Sequence, residues 1–245
     1  MRRSLFAAAA AAVLSLPAVA PAQTVDDVIA KYVEARGGLA KLKAITSLKA
    51  VGKMEVGPGI EAPIAMEQTR PANMRMEFTI QGMTAVQAYD GATAWAIVPF
   101  QGKKDPDVMP DDQAKSFIEG ADFDGALVDW KAKGHTLTLL GKDKVEGSDA
   151  WKLKVNLKNG DERIVFLDAD SYLEIRNEQK VKMQGTEMET FTNIGDYRDV
   201  NGTQMPFSIE QGAKGAPGVQ RMTIEKYEAN TPIDKTRFTM PKKAN

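Results

Sequence analysis

From Ser47 to Val98 the chain reads SLKAVGKMEVGPGIEAPIAMEQTRPANMRMEFTIQGMTAVQAYDGATAWAIV. Leu48, Ala50, Gly52, Met54 and Val56 share one face, and Lys49, Lys53 and Glu55 take the other, a period of two that marks a half-buried strand. Gly57-Pro58-Gly59 turns the chain, and Ile64 and Met66 resume the pattern against Glu67. Met74, Met76, Phe78 and Ile80 then alternate with Arg75, Glu77 and Thr79. Met83 to Tyr89 and Thr93 to Val98 flank an Asp90-Gly91 turn, so the whole stretch predicts a meander of antiparallel strands.

On the N-terminal side, Val28, Ile29, Tyr32, Val33, Leu39 and Leu42 recur at helical spacing, with Asp26-Asp27 suited to a helix start and Gly37-Gly38 splitting the segment. On the C-terminal side, Asp105 to Asp112 predicts a loop. Asp111 to Lys131 predicts helix in two pieces about Gly120 or Gly125, with Phe117, Ile118, Leu127 and Val128 on its apolar faces. Strands resume at Thr136 and continue through Trp151–Leu157, Ile164–Leu167, Leu173–Gln179, Glu187–Ile194, Met205–Gln211 and Gln220–Tyr227. The expected fold is mainly β, one domain over residues 23–245 with about eleven strands, and so large a sheet must curl or close.

Residues 1–22 read as a cleaved signal peptide: Arg2 and Arg3 precede an apolar run from Leu5 to Leu16, and Ala20-Pro21-Ala22 supplies small residues for cleavage. That run is too short to span a bilayer, and no later segment is apolar enough, so an exported, periplasmic protein without an integral membrane segment is expected. The absence of cysteine excludes disulfides, thiolate nucleophiles, sulfur-ligated zinc and N-terminal lipidation. A net charge of −1 argues against nucleic acid as a partner.

Methionine is abundant at the presumptive inner strand positions: Met54, Met66, Met74, Met76, Met83, Met183, Met188, Met205 and Met222. Flexible, polarizable thioethers suit either a deformable apolar cavity or a packed core, and the pattern alone does not choose. With Phe78 and Trp95 these residues make up the candidate cavity lining. No catalytic motif stands out, and neither a metal nor another cofactor is expected. His135 has no histidine or cysteine partner, and the Asp122/Asp124 pair resembles an ordinary solvated surface.

Three segments resemble the periplasmic lipoprotein-sorting, LolA-like family. They are Thr69-Arg70-Pro71-Ala72-Asn73-Met74-Arg75-Met76-Glu77, then Tyr89-Asp90-Gly91-Ala92-Thr93-Ala94-Trp95 with Pro99-Phe100, and finally Asp234-Lys235-Thr236-Arg237-Phe238-Thr239-Met240-Pro241 as a closing strand. The resemblance implies an unclosed antiparallel β-barrel with helices over its concave side and acyl chains of lipoproteins or lipids in its cavity. It makes Phe117, Ile118, Leu127 and Val128 a lid, and Arg70 the latch that donates hydrogen bonds to helix carbonyls. An inner-membrane loading complex and an outer-membrane acceptor are the implied partners of a monomeric, non-enzymatic carrier. The alternative is a lipid-sensing module that regulates envelope-stress signalling. Met74 and Met76 stand where the family places an aromatic residue, which softens the expected cavity wall.

Overall fold

The computed structural model describes residues 23–243 apart from 58, 123, 184 and 185, and the side chains of residues 182 and 183. The signal-peptide expectation for residues 1–22 therefore lies outside the described residues.

Helix α1 (Val25–Ala35) begins on a capping box, in which the Asp27 amide donates to Thr24 Oγ1 at 3.2 Å and the Thr24 amide donates to Asp27 Oδ2 at 2.9 Å. Gly37 and Gly38, both at positive φ, separate it from the short α2 (Leu39–Ala44). The meander follows as β1 (Ser47–Gly57), β2 (Ile60–Thr69), β3 (Asn73–Ile80), β4 (Met83–Tyr89), β5 (Ala94–Val98) and β6 (Lys103–Val108). After α3 (Asp111–Gly120) the second half runs β7 (Thr136–Val145), β8 (Ser148–Asn156), β9 (Glu162–Asp168), β10 (Glu174–Met183), β11 (Thr186–Val200), β12 (Thr203–Ala213) and β13 (Gln220–Ala229).

All thirteen strands join one antiparallel sheet in the order β6-β5-β4-β3-β2-β1-β13-β12-β11-β10-β9-β8-β7. The two halves meet where β1 pairs with β13, and β6 and β7 remain as unjoined edges, so the sheet is an unclosed barrel. A bulge at Val51/Gly52 bends this seam, and a Cβ on Gly52 would lie 2.1 Å from the Thr223 carbonyl oxygen, a position only glycine can hold.

The thirteen strands exceed the expected count of about eleven. The strand that alternation does not predict is β6, Lys103–Val108, which enters the loop expected from Asp105 onward; Pro106 is tolerated because β6 is an edge that needs no second ladder. The helical insertion is also shorter than expected, since α3 stops at Gly120 and the chain from Gly125 to Gly134 runs in turns.

The concave face holds two apolar clusters. In one, Val28, Ile29 and Tyr32 of α1 and Leu42 of α2 pack with Leu127 and Val128 against Leu137, Leu153, Val155, Val165 and Leu167 of β7–β9. In the other, Ile45 packs with Leu48, Met54, Ile64, Met205, Phe207 and Ile224 at the β1–β13 seam, flanked by Met66, Met76, Phe78 and Met222.

Candidate functional site

The two clusters are joined at Arg70, which directly follows β2 and precedes a cis Arg70–Pro71 bond. Its Nε donates to the Ile45 carbonyl at 2.8 Å, and Nη2 donates to the Leu42 carbonyl at 2.9 Å. Leu42 lies in the last turn of α2, where its carbonyl also accepts from the Ile45 amide at 3.3 Å, and Ile45 is the C-cap, so the guanidinium sits on the C-terminal end of the helix. Nη1 and Nη2 then grip the two oxygens of Asp124 at 2.9 and 2.6 Å, a bidentate fork. A sheet strand, a helix end and the loop after α3 thus share one cation.

Asp124 is almost fully buried, with 4% of its side chain exposed, whereas Arg70 retains 24%. Lys43 supplies a second cation to Asp124 and also pairs with Asp129 at 2.6 Å. Burial pushes the Asp124 carboxyl up, but the hydrogen bonds and charge of Arg70 and Lys43 outweigh it and hold the pKa at about 2. The expectation of a solvated Asp122/Asp124 pair is corrected here: only Asp122 reaches solvent, paired with Lys133 at 2.7 Å. Asp124 is the residue that sequence reasoning missed. Its signal was weak, because its partner lies 54 residues away.

Helix α3 has its own ties. Gln68 of β2 donates to the Gly120 carbonyl at 3.0 Å, and Arg163 of β9 donates to Glu119 at 2.8 Å. Phe117 is half-buried, while Ile118 is 37% exposed. Leu127 and Val128 differ from both: they are fully enclosed in the α1 cluster and belong to a packed core.

The methionines separate in the same way. Met54, Met66, Met76, Met205 and Met222, with Phe78, come together in the seam cluster, and Ile45 belongs to that cluster while its carbonyl accepts from Arg70. Met74 is buried beside them on β3, opposite Tyr89. Met188 lines a separate open cavity of about 1150 Å³ between α3 and β9–β13. Met83 is 38% exposed at the β3–β4 hairpin, and the Met183 side chain lies outside the described residues.

Trp95 lies outside the cavity lining expected for it. Register places it opposite Ala88, itself opposite Arg75, on the convex face of the sheet. There it packs with Val86, Ile97 and Met240, and its Nε1 donates to the Phe238 carbonyl at 2.7 Å. The segment expected as a closing strand forms instead a 3-10 turn, Lys235–Arg237, and a strap across the outside, where Arg237 pairs with Glu67 at 2.5 Å. The single histidine has a structural use, since His135 Nδ1 accepts from the Lys158 amide at 3.1 Å.

Among the described residues, no group of acidic or histidine side chains could hold a metal ion, and no helix is long and apolar enough to cross a membrane. No family model matches the sequence, and no curated protein matches it. Solved structures do match the fold. A LolA superfamily protein from Nitrosomonas europaea superposes with a TM-score of 0.60 at 13% identity, covering 89% of this chain and 98% of that one. A DUF1329 family protein from Desulfovibrio piger gives 0.62 at 11% identity, covering 88% and 97%. A domain described as an outer membrane lipoprotein-sorting protein, from Vibrio parahaemolyticus, gives 0.56 at 12% identity, covering 86% and 94%. The fold is LolA-like.

Proposed function

We propose that this chain is an exported, periplasmic carrier that takes acyl chains of lipoproteins or lipids into its concave side and moves them toward the outer membrane. The observation that carries this reading is the Arg70 node, seated directly on the methionine cluster through Ile45. Burying a methylene is worth about 0.8 kcal/mol, so a 16-carbon chain gains on the order of 12 kcal/mol on entry. A carrier that also releases its cargo must offset part of that gain. Methionines that pack on one another when no cargo is present do so, because the chain competes with their own contacts. The latch adds a second opposing term, since α2 and the Asp124 loop must part from β2 before the floor opens. A loading complex at the inner membrane and an acceptor at the outer membrane would supply direction.

The fold likeness to a lipoprotein-sorting domain supports the reading, and the chemistry asked of the site is binding. Arg70→Leu tests it. Wild-type protein should take up a fluorescent monoacylglycerol, and the variant should keep its circular dichroism while releasing the probe at a changed rate. Absence of uptake by the wild type, or identical release from both, would overturn the latch-and-floor account.

A further inference from the structure

The concave face changes character within one side-chain step. Met54 lies opposite Met222, Met222 opposite Ile209, and Ile209 opposite Ile194, an apolar row across four strands. Two residues along each of β11–β13, about 7 Å at a strand's rise, the row becomes Thr192, Gln211 and Gln220, again directly opposite one another. The next pair is Thr190 opposite Gln179. Gln179, Thr190, Gln211 and Gln220 all line the open cavity under α3. An acyl chain lying on the methionine floor and pointing along these strands therefore brings its head to a wall of amides and hydroxyls.

Charges near that wall are already committed. The lysines lining the cavity are each paired, Lys115 with Asp161 at 2.5 Å, Lys180 with Glu187 at 3.2 Å and Lys214 with Glu178 at 2.6 Å. Arg163 is shared between Glu119 and Gln179. Seven carboxylates line the cavity against three lysines, so its field opposes an incoming anion. Amides and hydroxyls both donate and accept, which suits an uncharged head rich in the same groups.

Resting on the carrier reading, we infer that the cavity under α3 is a head-group subsite, selecting acylated ligands whose polar end is uncharged and hydrogen-bonding and rejecting anionic ones. Calorimetric titration below micelle formation separates the two readings, using three probes with the same 12-carbon tail: dodecyl maltoside, dodecyl phosphate and dodecyltrimethylammonium. The maltoside should bind at least tenfold more tightly than the phosphate, and more tightly than the ammonium. Gln211→Leu/Gln220→Leu should weaken the maltoside about tenfold and leave the phosphate unchanged, as expected for losing about two neutral hydrogen bonds. Equal binding of all three probes, or tightest binding of either charged one, would overturn the subsite while the carrier reading stands. Binding of none would overturn both.

Discussion

Removing the charge from Asp124 while keeping its shape is the sharpest perturbation of the latch. Asp124→Asn leaves Arg70 with its two carbonyl acceptors, Leu42 and Ile45, but deprives it of its carboxylate. The carboxyl is lowered from 3.8 to about 2, and with 4% exposure this converts to about 2 kcal/mol of stability at neutral pH. Because the folded pKa is the lower one, that stability is complete above about pH 4. It fades as pH falls toward 2, through the folded value. The loss belongs to one local event, separation of α2 and the loop after α3 from β2. About 2 kcal/mol corresponds to roughly 30-fold faster amide exchange there. Hydrogen exchange with mass-spectrometric detection should show this acceleration in peptides spanning residues 39–45 and 124–130, with β8 and β9 changed much less. Wild-type rates at 39–45 in the Asn variant, with unchanged urea stability, would refute the claim that the Arg70–Asp124 pair holds the lid elements down.

Trp95→Phe should cost about 1–2 kcal/mol in urea unfolding, because the Phe238 carbonyl loses a buried donor, yet leave acyl-probe affinity unaltered, since the ring lies on the convex face. A fall in affinity would return Trp95 to the cavity. Met54→Ala should destabilise by about 2–4 kcal/mol through a void in the seam cluster, and a wild-type unfolding midpoint would show that this methionine is not packed. Gly52→Ala should cost at least about 1–3 kcal/mol, as a Cβ there meets the neighbouring backbone at 2.1 Å, and full stability would contradict the register of β1 with β13.

Much of this fold was legible from alternation. The hairpins of β1–β5 follow the period of two from Leu48 onward, and the inner methionines of β1–β3 do share one face in the register. What failed did so for identifiable reasons. Strand β6 was hidden by Asp105-Pro106-Asp107, a turn-like composition that an edge strand tolerates. Trp95 was misplaced because Ala94, Trp95, Ala96 and Ile97 give no polar face to break the symmetry. Only the C-terminal strap, some 140 residues on, makes its side of the sheet apolar. Arg70 was visible through a local pattern, but Asp124 was not, since a buried ion pair is a property of tertiary contact. Local composition, two aspartates beside glycine, points instead to water. The division of the methionines into a packed cluster and a separate open cavity likewise depends on where α3 lies across the strands.

The account stands or falls on cargo. Native mass spectrometry of the protein purified from a membrane-containing lysate tests it most directly. The account predicts a population carrying the added mass of an acylated molecule, lost when the sample is extracted with organic solvent. A spectrum holding only the unliganded mass, from protein that also fails to take up a fluorescent monoacylglycerol, would contradict it.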